Sequence, residues 1–143
     1  MNDNLDGALA RLPHGPEFRF LDGIVNLVPG KSGTGVYKVR GDEPFLRGHF
    51  PSEPILPGVI LIEAAAQLAG VVAQSDPEKA PLRELKLTAV QNIKITGTAR
   101  PGETLRIRAT TRARIGGLLQ ADVECYNGDT KILTGSVTLA GRE

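Results

Sequence analysis

The chain has no tryptophan, four phenylalanines, two tyrosines, two histidines and a single cysteine. So few aromatic rings leave little to stack on nucleic-acid bases. The lone Cys125 excludes an intrachain disulfide, and no Cys/His cluster suggests zinc. Neither sign of charge dominates: 17 Lys and Arg face 16 Asp and Glu, a net charge of +1. That balance gives no electrostatic reason to expect nucleic acid as a partner. The start, Met1-Asn2-Asp3-Asn4-Leu5-Asp6, is acidic and polar rather than a secretory signal, so the cytoplasm is the expected compartment. Repeats, low-complexity tracts and linkers are also lacking, and 143 residues suit one domain over 1–143 with a modest core. The apolar run from Ile55 to Ala73 is nearly long enough to span a bilayer. It holds Pro57, Glu63 and Gln67, however, so a buried helix is expected and membrane insertion is not.

What is present falls into elements. Residues 5–11 suit a short helix ended by Pro13 and Gly15. Phe20 to Val28 and Gly33 to Arg40 read as strands around the turn Pro29-Gly30-Lys31-Ser32. Residues 41–57, with prolines at 44, 51, 54 and 57, read as irregular. Pro57 fits the first turn of a helix over Val59 to Gln74, apolar nearly all round, with Glu63, Gln67, Gly70 and Gln74 on one stripe. Leu82 to Thr96 reads as a long strand, followed by the turn Pro101-Gly102-Glu103.

From Leu105 the alternation is clean: Leu105, Ile107, Ala109, Thr111 and Ala113 point one way, and Arg106, Arg108, Thr110, Arg112 and Arg114 the other. Leu119, Ala121, Val123 and Cys125 alternate with Gln120, Asp122 and Glu124 on the return. Strict alternation favours a three-residue loop, Ile115-Gly116-Gly117, placing Arg114 opposite Leu118, Arg112 opposite Gln120 and Arg108 opposite Glu124. The arginine face reads as solvated, with Asp122 and Glu124 as cross-strand partners, and Cys125 as packed inside. After Asn127-Gly128-Asp129, Lys131 to Leu139 reads as the last strand. One apolar helix followed by about four antiparallel strands predicts an α+β fold, a curved antiparallel sheet wrapped around that helix.

The chemistry concentrates between His49 and Glu63. An imidazole sits on a proline-rich loop, and a carboxylate sits inside a core helix that carries no Lys or Arg. Burying a lone carboxylate is costly and favours its neutral form. A base together with a carboxyl able to hold a proton is the equipment of acid–base catalysis. His14, Cys125 and the arginine face read as structural.

These residues resemble the 3-hydroxyacyl-[acyl-carrier-protein] dehydratases of the FabZ type. The likeness covers nearly the whole length. It rests on Leu12-Pro13-His14 with Phe18 and Asp22, Pro29-Gly30-Lys31, Glu43-Pro44-Phe45, Gly48-His49-Phe50-Pro51, Pro54-Ile55-Leu56-Pro57-Gly58-Val59, Glu63-Ala64 with Gln67, and Pro101-Gly102-Glu103. The resemblance implies the hot-dog fold and dehydration of a 3-hydroxyacyl thioester to a trans-2-enoyl thioester, without metal or organic cofactor. It implies His49 and Glu63 as the catalytic pair, shared between the protomers of a homodimer, with a trimer of dimers as a larger assembly known among relatives. It also implies that the Gly58 N–H receives the thioester oxygen, that the Ile55 carbonyl orients His49 and that Gln67 holds Glu63. The acyl chain is expected in an apolar tunnel at the dimer interface, lined by Phe50, Leu56, Val59 and Ile93.

Three departures stand out. Gly15-Pro16-Glu17-Phe18 replaces the usual Arg-Tyr-Pro-Phe, and Ser52-Glu53 replaces a usual Gly-Arg. Asn92-Ile93-Lys94-Ile95-Thr96-Gly97 replaces a basic strand, leaving Lys94, with Arg47 and Arg100, to engage an acidic carrier protein. The thioester carrier is therefore read as acyl carrier protein or coenzyme A. The rival readings are a hot-dog acyl thioesterase and a non-catalytic acyl-thioester-binding protein. A dehydratase that also isomerises the double bond usually has Asp at the position of Glu63.

Overall fold

A computed structural model of the protein describes residues 7–10, 12–49 and 52–143. Strands β1 (Gly23–Val28) and β2 (Ser32–Lys38) form a hairpin, and a long loop leads to helix α1 (Gly58–Gln74). Strands β3 (Arg83–Ile95), β4 (Thr104–Ile115), β5 (Leu118–Asn127) and β6 (Thr130–Arg142) follow. All six belong to one antiparallel sheet in the order β1-β2-β4-β5-β6-β3. Short 3-10 turns occupy Pro16–Phe18 and Pro44–Leu46. Of the expected helix over 5–11, residues 7–9 are helical, while residues 5, 6 and 11 lie outside the described residues.

The sheet encloses α1. Inward residues of β4 and β5 (Leu105, Ile107, Ala109, Leu119, Ala121, Val123 and Cys125) are all buried. They form one core with Leu61, Ala65, Leu68, Val71 and Val72 of the helix. Fully burying a Val or Leu side chain contributes about 1.5–3 kcal/mol, so this interface dominates the stability. Small residues let the helix sit close to the sheet. Gly33 on β2 faces Val72 so closely that a Cβ there would lie 2.8 Å from the valine methyl. Cys125 is packed in this core, and burial alone pushes its thiol up to about 12.

Pro57 stands just before α1 rather than in its first turn. Its backbone is extended, with ψ 138°, and its carbonyl accepts the Ile60 N–H at 2.9 Å.

The β4–β5 hairpin departs from the expected three-residue loop. Ile115 pairs with Leu118 across the two-residue loop Gly116-Gly117, with Gly116 at φ +57°. A register shift between Thr111 and Ala113 then restores the alternation toward the core, so Arg108 does lie opposite Glu124. Strict alternation could not show this irregularity, because one extra residue in a strand leaves the pattern on either side intact.

The shift has a purpose for Arg114. It lies opposite Leu119, off the outward face, and donates to the carbonyls of Ala73 at 3.1 Å and Ala80 at 2.7 Å. A guanidinium thus sits on the carbonyl end of α1, where cations are favoured. On the outer face Arg112 lies 3.6 Å from Asp122. Glu124 instead pairs with Lys131 at 2.8 Å, and that hydrogen bond holds its carboxyl below the usual value.

Arg114→Ala should lower unfolding free energy by about 1–2 kcal/mol through the lost charged hydrogen bonds. Urea titration should show a lower midpoint with an unchanged slope; an unchanged midpoint would mean that Arg114 contributes nothing to the helix end.

Candidate active site

The loop before α1 is anchored at its start by a buried carboxylate. Glu43, 9% exposed, accepts the Tyr37 hydroxyl at 2.6 Å, the Arg40 N–H at 3.1 Å and the Gly41 N–H at 2.7 Å. Burial opposes the negative charge, but these donors outweigh it and hold the Glu43 carboxyl below the ordinary carboxylate value. The same pair pushes the Tyr37 hydroxyl up, through burial first and the Glu43 carboxylate second.

From this anchor the chain makes the Pro44–Leu46 turn. Leu46 is buried, and Phe45 meets Phe20 edge to face at 5.8 Å. The His49 N–H then donates to the Leu46 carbonyl at 3.3 Å. His49 Nδ1 lies 2.9 Å from the Ile55 carbonyl oxygen. A carbonyl only accepts, so Nδ1 carries the hydrogen of the neutral ring and the lone pair falls on Nε2. Leu56 follows, buried and tied to the Ala99 carbonyl at 2.8 Å.

Helix α1 begins at Gly58 with no side-chain cap, so its leading N–H groups form a donor-rich, positive end. A Cβ at Gly58 would lie 2.8 Å from Ile95, so β3 closes one side of the helix start.

Glu63 lies farther along α1. Its Oε2 is 3.1 Å from Gln67 Nε2 and 3.4 Å from His14 Nε2. Gln67 is buried, and both ends of its amide are used: Nε2 donates to the Phe18 carbonyl at 2.8 Å, and Oε1 accepts the Phe20 N–H at 2.9 Å. These two backbone partners settle which way the amide points.

A mostly apolar cavity of about 520 Å³ opens beside this group. The stripe Glu63, Gln67, Gly70 and Gln74 forms one wall. Leu12, Pro13, His14 and Phe18 from the opening loop, Leu85 and Leu87 from β3, and Leu139 from β6 complete much of the rest.

The expected tunnel residues lie elsewhere within a single chain. Leu56 is buried, Val59 is 70% exposed and Ile93 is half-buried against the core. None of these three lines the cavity, and Phe50 lies outside the described residues. Glu63 and Gln67 are brought together at the cavity, whereas His49 and Gly58 are not among its lining residues. The leucines of β3 and β6 were not singled out from the sequence, although the polar stripe on α1 marked the helix face they cover. His14, read as structural, stands beside Glu63. The replaced Ser52-Glu53 pair has a partner too: Glu53 lies 3.1 Å from Arg100.

A helix enclosed by a curved antiparallel sheet is the hot-dog architecture, and the relatives place it in the thioester-dehydratase class. A FabA-like domain model matches residues 12–136. A 3-hydroxyacyl-[acyl-carrier-protein] dehydratase FabZ of Clostridioides difficile is 31% identical over 137 residues, covering 96% of each chain. The corresponding protein of Rickettsia bellii is 38% identical over 99 residues, 69% of this chain and 68% of that one. Among solved structures, the dehydratase heterocomplex ApeI:P of Xenorhabdus doucetiae superimposes with a TM-score of 0.81 at 20% identity, covering 94% of this chain and 91% of that one. Zebra fish thioesterase superfamily member 2 shares the fold at a TM-score of 0.68 and 19% identity, over 93% and 90% of the two chains. The chain belongs to the FabZ-type dehydratase family.

Glu43 gives the loop a pH dependence. Its carboxyl is held below the ordinary value of 4.5, so its contribution is complete above that value and is lost as pH falls through the lower folded value. Wild type should therefore lose more stability than Glu43→Gln on acidification from about pH 5 to 3. Equal losses in urea titrations at the two pH values would remove Glu43 as the anchor.

Proposed function

We propose that this protein removes water from 3-hydroxyacyl thioesters to give trans-2-enoyl thioesters in acyl-chain synthesis, using His49 as base and Glu63 as acid. The Nδ1 contact of His49 with the Ile55 carbonyl carries the reading, because it fixes the ring and leaves Nε2 as the nitrogen that takes a proton. His49 Nε2 takes the C2 proton. The resulting negative charge on the thioester oxygen is received at the start of α1, where the Gly58 N–H donates. Glu63 gives a proton to the C3 hydroxyl. The C2–H and C3–O bonds break, the C2–C3 double bond forms and water leaves. Proton transfer by a placed side chain accelerates such steps roughly 10²–10⁴-fold.

The working unit we propose is a homodimer, with His49 from one protomer meeting Glu63 from the other. The single-chain cavity is lined by Glu63 but not by His49, which supports a shared site. β3 is an edge strand of 13 residues, exposing Leu87, Val90 and Ile95 beside the exposed Val59. An open apolar edge of this length suits pairing with a second copy. The acyl chain then follows the cavity along α1, and the expected linings Val59 and Ile93 would contribute where the two copies meet, whereas Leu56 is buried within one chain.

Acyl carrier protein is the proposed carrier, with coenzyme A as the second arm of the test. Lys94 and Arg47 are the basic groups offered to the carrier, and Arg100 is already engaged with Glu53.

Crotonyl thioesters of both carriers supply the assay. Wild type should hydrate the double bond and remove the enoyl-thioester absorbance without releasing thiol, and the faster carrier names the partner. His49→Ala and Glu63→Gln should each lower the rate at least about 100-fold while remaining folded. Thiol release by wild type would instead establish a thioesterase, and binding without turnover a binding protein. Mixing the two inactive variants under conditions of subunit exchange should restore part of the activity. No recovery despite exchange would end the shared-site proposal.

A further inference from the structure

Two N–H groups converge on one oxygen of Glu63. Gln67 Nε2 lies 3.1 Å from Oε2, and its amide is locked from behind by Phe18 and Phe20. His14 Nε2 lies 3.4 Å from the same oxygen. The backbone around His14 is tied down and its ring is packed. Arg19 donates to the carbonyls of His14 at 2.7 Å and Leu12 at 3.4 Å, and Phe18 lies against the ring with centroids 5.7 Å apart.

The other ring nitrogen, Nδ1, is buried and has no hydrogen-bond partner among the described residues. Buried N–H groups without an acceptor are rarer in folded proteins than buried acceptors with an unused lone pair. The ring therefore keeps Nδ1 bare and its hydrogen on Nε2, the nitrogen nearer Glu63. A contact of 3.4 Å is long for a hydrogen bond, but acid–base contacts commonly tighten once substrate is bound.

We propose that His14 is a positioning residue for Glu63: together with Gln67 it makes Oε2 the accepting oxygen and leaves Oε1 as the oxygen that carries the proton to the substrate hydroxyl. The inference rests on the dehydratase reading above and deepens it. A carboxylic acid has one O–H, and with Gln67 donating to Oε2 and His14 Nε2 beside it, that oxygen is the unfavourable place for it. Oε1 accepts from no described residue and belongs to a side chain that lines the cavity. Glu84 and Lys86, from β3, are the other charged groups lining the same space. Without His14 the carboxyl can turn, and the proton need not face the substrate.

His14→Phe keeps a ring against Phe18 but removes the donor, and His14→Gln restores an N–H at similar reach. On crotonyl thioesters, His14→Phe should lower kcat roughly 10–100-fold with KM changed less than about threefold. His14→Gln should recover at least a third of the wild-type kcat. Thermal melts and circular dichroism identify any variant that fails to fold. An unchanged kcat in folded His14→Phe, a change in KM alone, or equal losses in both variants would overturn the proposal.

Nitrogen NMR of the wild-type histidines gives a readout that needs no turnover. The expected result is a neutral His14 with its hydrogen on Nε2, and a changed Nε2 signal in Glu63→Gln. A His14 with its hydrogen on Nδ1, or one indifferent to Glu63→Gln, would also overturn the proposal. If wild type failed to act on either thioester, the dehydratase reading would fall, while the NMR result would still decide whether His14 holds Glu63.

Discussion

Everything in this protein hangs on the enclosure of one helix by one sheet. The helix is almost wholly apolar, and its alanines and glycine let strands approach it closely. That burial drives folding, but it also restricts what the helix can carry. A polar side chain on such an element must find partners inside or reach an opening. Gln67 finds them in the backbone of the opening loop, and Glu63 finds Gln67. The proposed catalytic carboxyl is thus held by the same contacts that tie the N-terminal segment to the core.

The loop that carries His49 is built on a different principle. Apart from the short 3-10 turn Pro44–Leu46, its described residues form no regular element, so its shape comes from a few strong anchors. Glu43 fixes the corner after β2, Leu46 fills the core, and the Ile55 carbonyl fixes the imidazole. Proline at 44, 54 and 57 limits the other conformations available to the chain between those anchors. A histidine held in this way needs little reorganisation to act as a base.

Much of this was legible in the sequence, for identifiable reasons. The strands and α1 announced themselves by period, and their ends agree to within a few residues: 59–74 was expected for a helix that runs Gly58–Gln74. The largest differences are three residues: the first strand, expected from Phe20, begins at Gly23 because Phe20 instead ties its N–H to Gln67, and the last, expected to end at Leu139, runs on to Arg142. Gln67 was placed beside Glu63 through the family resemblance, and the two are in contact. The turn between β4 and β5 was misread because alternation cannot reveal a compensating irregularity farther down the strand, and Arg114 was consequently placed on the wrong face. His14 was passed over because its neighbour Glu63 is 49 residues away, and no periodicity links a loop to a helix face. The cavity walls on β3 and β6 were missed because packing across a sheet depends on curvature, which local pattern does not encode.

The irregularity of β3 has a further consequence. An antiparallel sheet with two open edges can in principle add copies without end. Here one edge strand carries Glu84 and Asn92 with positive φ, both at 55°, and breaks register against β6 three times. Such a strand twists away from flatness and offers only a short straight stretch for pairing. The other edge, β1, is six residues long and carries its own register shift. In the proposed dimer β3 is the one shared border, and its warped geometry stands as a guard against fibre growth.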